Sequence, residues 1–302
     1  MTDDTSLTFR VLTETPAELG EGPLWDPVRA RLCFVDIEGG LVHETDAAGG
    51  ARRSWRAPDR PTALGLTDRG RLIVSLAHGL AFLDRDTGRF TPFVEIDTGA
   101  PTTRLNDGKV GPDGAFWIGA IDERKPRRPV AALWRVTGDG RVERRLDGLV
   151  ASNGLAWTAD GRTMFHSDSS LGRIDRWRFD PATGAIDDRT TIVTLADAEG
   201  RPDGGACDLD GSYWSAGVSA GVLNHFDADG RLLGRFRLPV AAPTMPCFGG
   251  PDGRTLFLTS LRHGLSEERL ADGPLTGATI AFDVDVAGVG PFVFAEGGVV
   301  LG

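Results

Sequence analysis

A chain of 302 residues, 40% hydrophobic and 25% charged, with 7 Trp and 15 Phe, has the material for a large folded core and is not a disordered polymer. Its net charge of −10 argues against a nucleic-acid binder, which needs a basic face. Three cysteines, Cys33, Cys207 and Cys247, far apart and without a CxxC pair, argue against a disulfide framework or a thiolate zinc site and read as free buried thiols in a reducing compartment.

The N-terminal segment MTDDTSLTFR is polar and acidic, without the apolar core of a secretory signal. No apolar run approaches membrane-spanning length. The chain is therefore read as cytoplasmic, with no membrane, nucleic-acid or protein partner. LTFRVLTE (7–14) reads as a strand ahead of everything else. Then come short runs rich in aromatic and β-branched residues: RLCFVDI (31–37), RLIVSLA (71–77), AFWIGAI (115–121), TMFHSDS (163–169), SYWSAGV (212–218) and TLFLTSL (255–261). Gly, Asp-Gly and Pro-Asp-Gly turns separate them, and no long segment carries a 3.6-residue period. Only 266–274 admits a short helical turn. PFVFAEG (291–297) follows the last run.

These runs repeat. Each sits behind a turn, LTDRG (66–70), VGPDG (110–114), WTADG (157–161), CDLDG (207–211) or GGPDG (249–253), and is followed by a third strand such as ALWRVTGDG (132–140), RIDRWRFD (173–180) or VLNHFDADG (222–230). Aligned on that turn, and on Trp25 for the first copy, one position ahead of the turn is held in succession by Glu21, Thr62, Asn106, Asn153, Asp203 and Met245. Subtraction spaces them 41, 44, 47, 50 and 42 residues apart. A period of roughly 40–50 residues with about four short strands is one propeller blade. The expected fold is all-β, a six-bladed β-propeller of four-stranded blades filling residues 1–302 as a single domain. The N-terminal strand should pair into the C-terminal blade, which removes an open sheet edge.

In such a fold, equivalent positions of the six innermost strands ring one axis, near one mouth of the channel. Two members of this ring are carboxylates and two are amides. Converging carboxylates repel unless a cation or a proton intervenes. Oxygen donors suit one divalent cation, Ca²⁺, Mg²⁺ or Mn²⁺, and tolerate Zn²⁺. Glu21, Asn153 and Asp203 are the candidate metal ligands. Arg104, two residues before Asn106, is placed to orient a hydroxylated or anionic ligand with it. Each residue alone would be an ordinary turn former or surface charge; together in one slot they make a site. The five histidines lie outside the slot without HxH or HExxH spacing, and no GxSxG elbow is present.

LGEGPLWDP with LCFVDI (19–37), RLNDGKVGPDGAFWIG (104–119), SNGLAW (152–157), RPDGGACDLDGSYW (201–214) and CFGGPDGRTLFLTS (247–260) resemble, in order, the motifs of the SMP-30/gluconolactonase/regucalcin family. The resemblance implies a six-bladed propeller that binds one divalent cation, calcium foremost, and hydrolyses sugar lactones to aldonic acids in carbohydrate catabolism. It places metal-ligand roles on Glu21, Asn153 and Asp203, a proton donor/acceptor role on Asp203, and substrate-binding roles on Arg104 and Asn106. An ungapped match puts Arg124 where the family has a substrate-binding Glu; the adjacent Glu123 is taken for that role. The alternatives are a paraoxonase-like metal-dependent esterase and a non-enzymatic calcium-binding propeller. The loops at 121–130 and 262–275 are expected to read the sugar.

Overall fold

A computed structural model describes residues 8–13 and 16–297. Six antiparallel sheets succeed one another along the chain and close into a β-propeller. Blade 1 comprises Gly20–Asp26, Arg31–Asp36, Leu41–Thr45 and Arg53–Arg56. Blade 2 begins at Ala63–Thr67, blade 3 at Thr103–Val110, blade 4 at Ser152–Trp157, blade 5 at Pro202–Cys207 and blade 6 at Pro243–Gly249. Each first strand is innermost. Blade 6 takes Arg10–Val11 as its outermost strand, antiparallel to Ile280–Asp283. Residues 7 and 14 of the predicted N-terminal strand lie outside the described residues.

Burial follows position in the blade. The innermost strand of blade 1, GEGPLWD, is buried at every residue, whereas its outermost strand, RSWR, is mostly exposed. The outermost strand of blade 4, AIDDRTTIVT, is likewise polar and exposed, and its charges discourage pairing with another sheet edge. Between blades the core is aromatic. Trp25 stacks on Phe257 across blades 1 and 6, Trp117 and Trp157 meet Phe179 across blades 3 and 4, and Phe165 stacks on Tyr213 across blades 4 and 5. These rings explain why Trp and Phe recur at fixed offsets from the turn: each seals a seam between wedges that share one axis.

The helical turn expected within 266–274 is the helix Glu267–Asp272, capped by the Ser266 side chain. The C-terminal segment does something the sequence pattern did not announce. Val293–Phe294 adds parallel to the innermost strand of blade 2. On its way the segment hydrogen-bonds blade 5 (Val289 N to Cys207 O, 2.9 Å) and then blade 3 (Ala295 N to Gly114 O, 3.0 Å). It thus straps the channel end opposite the slot positions, with Glu296 held by Arg71. No helix among the described residues is long and apolar enough to cross a membrane.

Five of the six innermost strands carry a register shift at the slot: between Glu21 and Leu24, Leu105 and Gly108, Asn153 and Ala156, Pro202 and Gly205, and Pro243 and Pro246. A bulge bends the strand and re-aims its side chains. Gly154 forms the bulge in blade 4 at φ 68°, and a Cβ there would lie 2.5 Å from both Ser167 Oγ and Tyr213 Oη and 3.0 Å from Asp203 O. Gly154→Ala therefore combines a left-handed backbone with a clash in a packed core. Its expected cost is about 2–5 kcal/mol, the sum of those two effects, read as a lower midpoint in chemical denaturation; an unchanged midpoint would mean the bulge is not constrained.

Candidate functional site

The site is built where the innermost strands enter at the unstrapped mouth. Aspartates at the ends of the second strands set the approach. Asp36 accepts hydrogen bonds from Glu18 N and Leu19 N at 3.0 Å each, fixing the chain that leads to Glu21. Asp168 accepts from Val150 N (2.9 Å) and Ala151 N (3.2 Å), fixing the chain that leads to Asn153. Asp122 plays the related part in blade 3, accepting from Thr102 Oγ1 at 3.1 Å. The sequence reading missed these clamps, although a signal existed: FVD, AID and HSD stand at nearly equal distances after the slot residues.

Beyond the clamps the polar slot residues join. Asn153 is buried, and its Nδ2 donates to Ser169 Oγ at 2.6 Å. That bond orients the amide so that Oδ1 faces Asn106, whose Nδ2 donates to it at 2.8 Å and to Ser152 O at 3.0 Å. Arg104 Nη1 donates to Asn106 Oδ1 at 2.8 Å, and Arg104 Nε to Glu123 Oε1 at 3.1 Å. One chain of hydrogen bonds thus runs Glu123–Arg104–Asn106–Asn153–Ser169. Arg60 closes over its outer end with a two-pronged pair to Glu123 at 2.9 and 3.0 Å. Glu123, not Arg124, therefore stands against Arg104; Arg124 turns back onto Asp122 at 2.9 Å.

Glu21 and Asp203 are buried beside this chain, 8% and 9% exposed. The Glu21 carboxylate accepts from Gly22 N at 2.9 Å, and among the described residues no hydrogen bond reaches the Asp203 side chain and no ion pair engages either group. Burial pushes both acids up, Asp203 to about 7, and the Asp203 charge holds Glu21 well above the carboxylate range. Asp107 adds to the strain. It is buried, its Oδ2 accepts from Leu155 N at 3.3 Å, its Oδ1 has no partner, and its charge raises both Asp203 and Glu21. Lys109, two residues on, partly compensates Asp107 and ties blade 3 to blade 5 through Gly205 O at 2.8 Å. Neither Asp107 nor Lys109 was singled out from sequence, yet blade 3 alone follows its slot residue with an acid and then a base.

Two slot residues do not join the polar group. Thr62 Oγ1 donates to Ser75 Oγ at 2.8 Å. Met245 lines an internal cavity of about 60 Å³ beneath the ring, together with Gly22, Gly108, Lys109 and Phe292 of the C-terminal strap. Among the described residues no three His, Cys, Asp or Glu side chains gather to hold a metal. The candidate oxygen donors at this mouth are the Glu21 and Asp203 carboxylates, whose charges act on one another, and the Asn153 amide oxygen, which already accepts from Asn106. Their chemistry suits a hard divalent cation: two buried acidic oxygen donors, neither engaged by an ion pair among the described residues, and one amide oxygen.

A family model described as the SMP-30/gluconolactonase/LRE-like region matches residues 19–262. The chain belongs to that family. Among its relatives is a protein of Pseudomonas putida named 6-deoxy-6-sulfogluconolactonase, 35% identical over 95% of this chain and 99% of the relative. Another, named L-arabinolactonase, from Azospirillum brasilense, is 35% identical over 94% of this chain and 95% of the relative. A crystal structure from Agrobacterium tumefaciens described as a calcium-binding protein, regucalcin, superposes with a TM-score of 0.89 at 29% identity, covering 95% of this chain and 97% of that one. The slot residues quoted from sequence fall within the family match.

The carboxylates make a pH prediction for protein kept in chelator. A folded-state value of about 7 for Asp203 lies above its unfolded value near 3.9. The associated stability is full below the unfolded value and is lost as pH rises through about 7. Between pH 4.5 and 7.5, roughly the window these values span, the melting temperature of the chelated protein should fall by several degrees more than that of Asp203→Asn. Parallel melting curves for the two would refute the assignment.

Proposed function

We propose that this chain is a sugar lactonase that hydrolyses an aldonolactone to its aldonic acid, using one divalent cation held by Glu21, Asn153 and Asp203. The observation that carries this reading is the pairing, at one mouth, of two buried like-charged carboxylates with the Asn106–Arg104–Glu123 chain beside them. Relatives named 6-deoxy-6-sulfogluconolactonase and L-arabinolactonase support the reaction class. The cation would be calcium foremost, with zinc, manganese or magnesium as alternatives, and when bound it would polarise the lactone carbonyl and offset charge developing on its oxygen.

The chain's own residues supply the rest. Asp203 is the proposed general base: it is buried, and among the described residues no hydrogen bond or ion pair engages its carboxylate. It takes a proton from the water that attacks the carbonyl carbon and returns it to the ring oxygen as the ester bond breaks. Arg104 spends Nε on Glu123 and Nη1 on Asn106 and Leu105 O, leaving Nη2 for a substrate hydroxyl. Asn106, already bonded to Arg104 and Asn153, links the substrate side to the cation side, so a sugar seated on Arg104 is registered against Asn153. Glu123 fixes two guanidinium groups and can itself accept from a sugar hydroxyl. These polar contacts favour a polyol over the apolar acyl group of an aryl ester.

A panel of sugar lactones and aryl esters, assayed by acid release against a series of divalent ions, tests the reading. Sugar lactones should be turned over, chelator should remove the activity, and a divalent ion should restore it. Asp203→Ala should lower kcat/KM by at least ~10²-fold, the lower range for loss of a general base. Full activity in that variant, or preferential cleavage of aryl esters, would overturn the proposal.

A further inference from the structure

The loop that leaves the second strand of blade 3 carries a concentration of positive charge that the proposed reaction does not use. Within Glu123–Arg128 the sequence is ERKPRR, in a chain whose net charge is −10. The loop's acids are already engaged. Glu123 is shared by Arg60 and Arg104, and Asp122 just before the loop is paired with Arg124. Lys125, Arg127 and Arg128 remain exposed, and none of the three forms an ion pair among the described residues. Most arginines around them do: Arg60 even reaches a second acid, Glu38, at 3.5 Å.

Arg127 is the best placed. Its Nε is anchored on Asp122 O at 3.0 Å, which ties the guanidinium to the end of a blade strand and leaves both Nη groups unspent. Its charge, with those of Arg104 and Arg201, reaches the Asp203 carboxylate. Arg201 stands 3.7 Å from Asp197, and so arrives partly neutralised; Arg127 does not. Glu123 begins this same loop, so the unpaired cations follow directly on the outer end of the Glu123–Arg104–Asn106 chain.

We propose that this loop, with Arg127 at its centre, is an anion subsite, and that the preferred substrate is a sugar lactone bearing a fixed anionic group remote from its carbonyl. This rests on the lactonase reading and narrows it. A fork of Nη donors pairs well with a sulfonate or phosphate oxygen pair. An exposed cationic loop in an acidic protein also draws an anionic substrate toward one edge of the mouth, and an anion seated there offsets the mutual repulsion of Lys125, Arg127 and Arg128. A neutral aldonolactone would gain nothing from it.

The test compares glucono-1,5-lactone with its 6-phosphate and its 6-sulfonate on the metal-loaded enzyme, in wild type, Arg127→Gln and Arg127→Glu. The expected result is a kcat/KM at least ~10-fold higher for the anionic lactones, as an unpaired charge contact gives. That advantage should shrink between low and high salt. The ratio of anionic to neutral kcat/KM should fall about as far in Arg127→Gln and further in Arg127→Glu. A response to the phosphate but not the sulfonate would identify a doubly charged ligand. Turnover of gluconolactone with a ratio near one, or a ratio that neither variant moves, overturns the anion subsite and leaves the lactonase reading standing. Turnover of none of the three overturns both.

Discussion

Two carboxylates, Glu21 and Asp203, are buried within each other's field, neither engaged by an ion pair among the described residues, and the mouth of this propeller is organised around that conflict. Removing a carboxylate from water is unfavourable, and a second one nearby makes it worse. A loop-borne pair would swing apart or reach for solvent. Here neither acid can, because each stands on the innermost strand of a blade and each blade is wedged between two others. The repulsion is therefore retained in the fold, eased in part by the Arg104 charge, and a proton or a cation at the pair would relieve it. Asp107 sharpens it from below, since its Oδ1 has no partner and its charge falls on both acids.

The frame that resists this repulsion is made of ordinary parts used repeatedly. Aromatic seams such as Trp25–Phe257 and Phe165–Tyr213 lock each wedge against the next. Aspartates at the ends of second strands hold the incoming chain by its backbone N–H groups, so Glu21 and Asn153 start from fixed points. The bulge then turns the strand. Where a blade lacks one, as in blade 2, the slot residue Thr62 pairs its hydroxyl with Ser75 in the next strand and takes no part in the polar group. Blade 6 has the bulge but carries Met245, which lines the cavity beneath the ring, so serving at the mouth needs both the bulge and a polar residue on it.

The same distinction explains what could be read from the sequence. The six blades were legible because turns and aromatic residues recur at one spacing, and because the second strands, buried on both faces, read as short apolar runs such as LCFV and FWIGAI. Glu21, Asn106, Asn153 and Asp203 were legible as departures from that repetition. Glu123 against Arg124 was not decided by spacing: both follow the end of the strand Phe116–Asp122, where strand alternation no longer sets direction, and only the fold shows Glu123 beside Arg104 and Arg124 folded onto Asp122. The parallel strap at Val293–Phe294 was illegible for a related reason. A two-residue pairing has no period, and its partner lies far away in the chain. Asp107 and Lys109 were overlooked because they occur once, and a comparison among repeats rewards what recurs.

A division of labour between rigid and variable parts follows from this construction. The ring residues stand on strands whose direction is set by seams, clamps and bulges, so changing one disturbs its neighbours. The loops between second and third strands carry no such burden. The segment Glu123–Arg128 attaches to the frame through Asp122 and through the Glu123 carboxylate, and the side chains between those anchors are free to change without moving Asp203. A fold arranged in this way can keep one set of reacting groups while its loops alter what is brought to them. The coupling runs through Arg104, which touches the loop with Nε and the ring with Nη1. One planar guanidinium, held by Glu123 at one end and by Asn106 at the other, thus joins the loop to the Asn106–Asn153 amide pair on the ring.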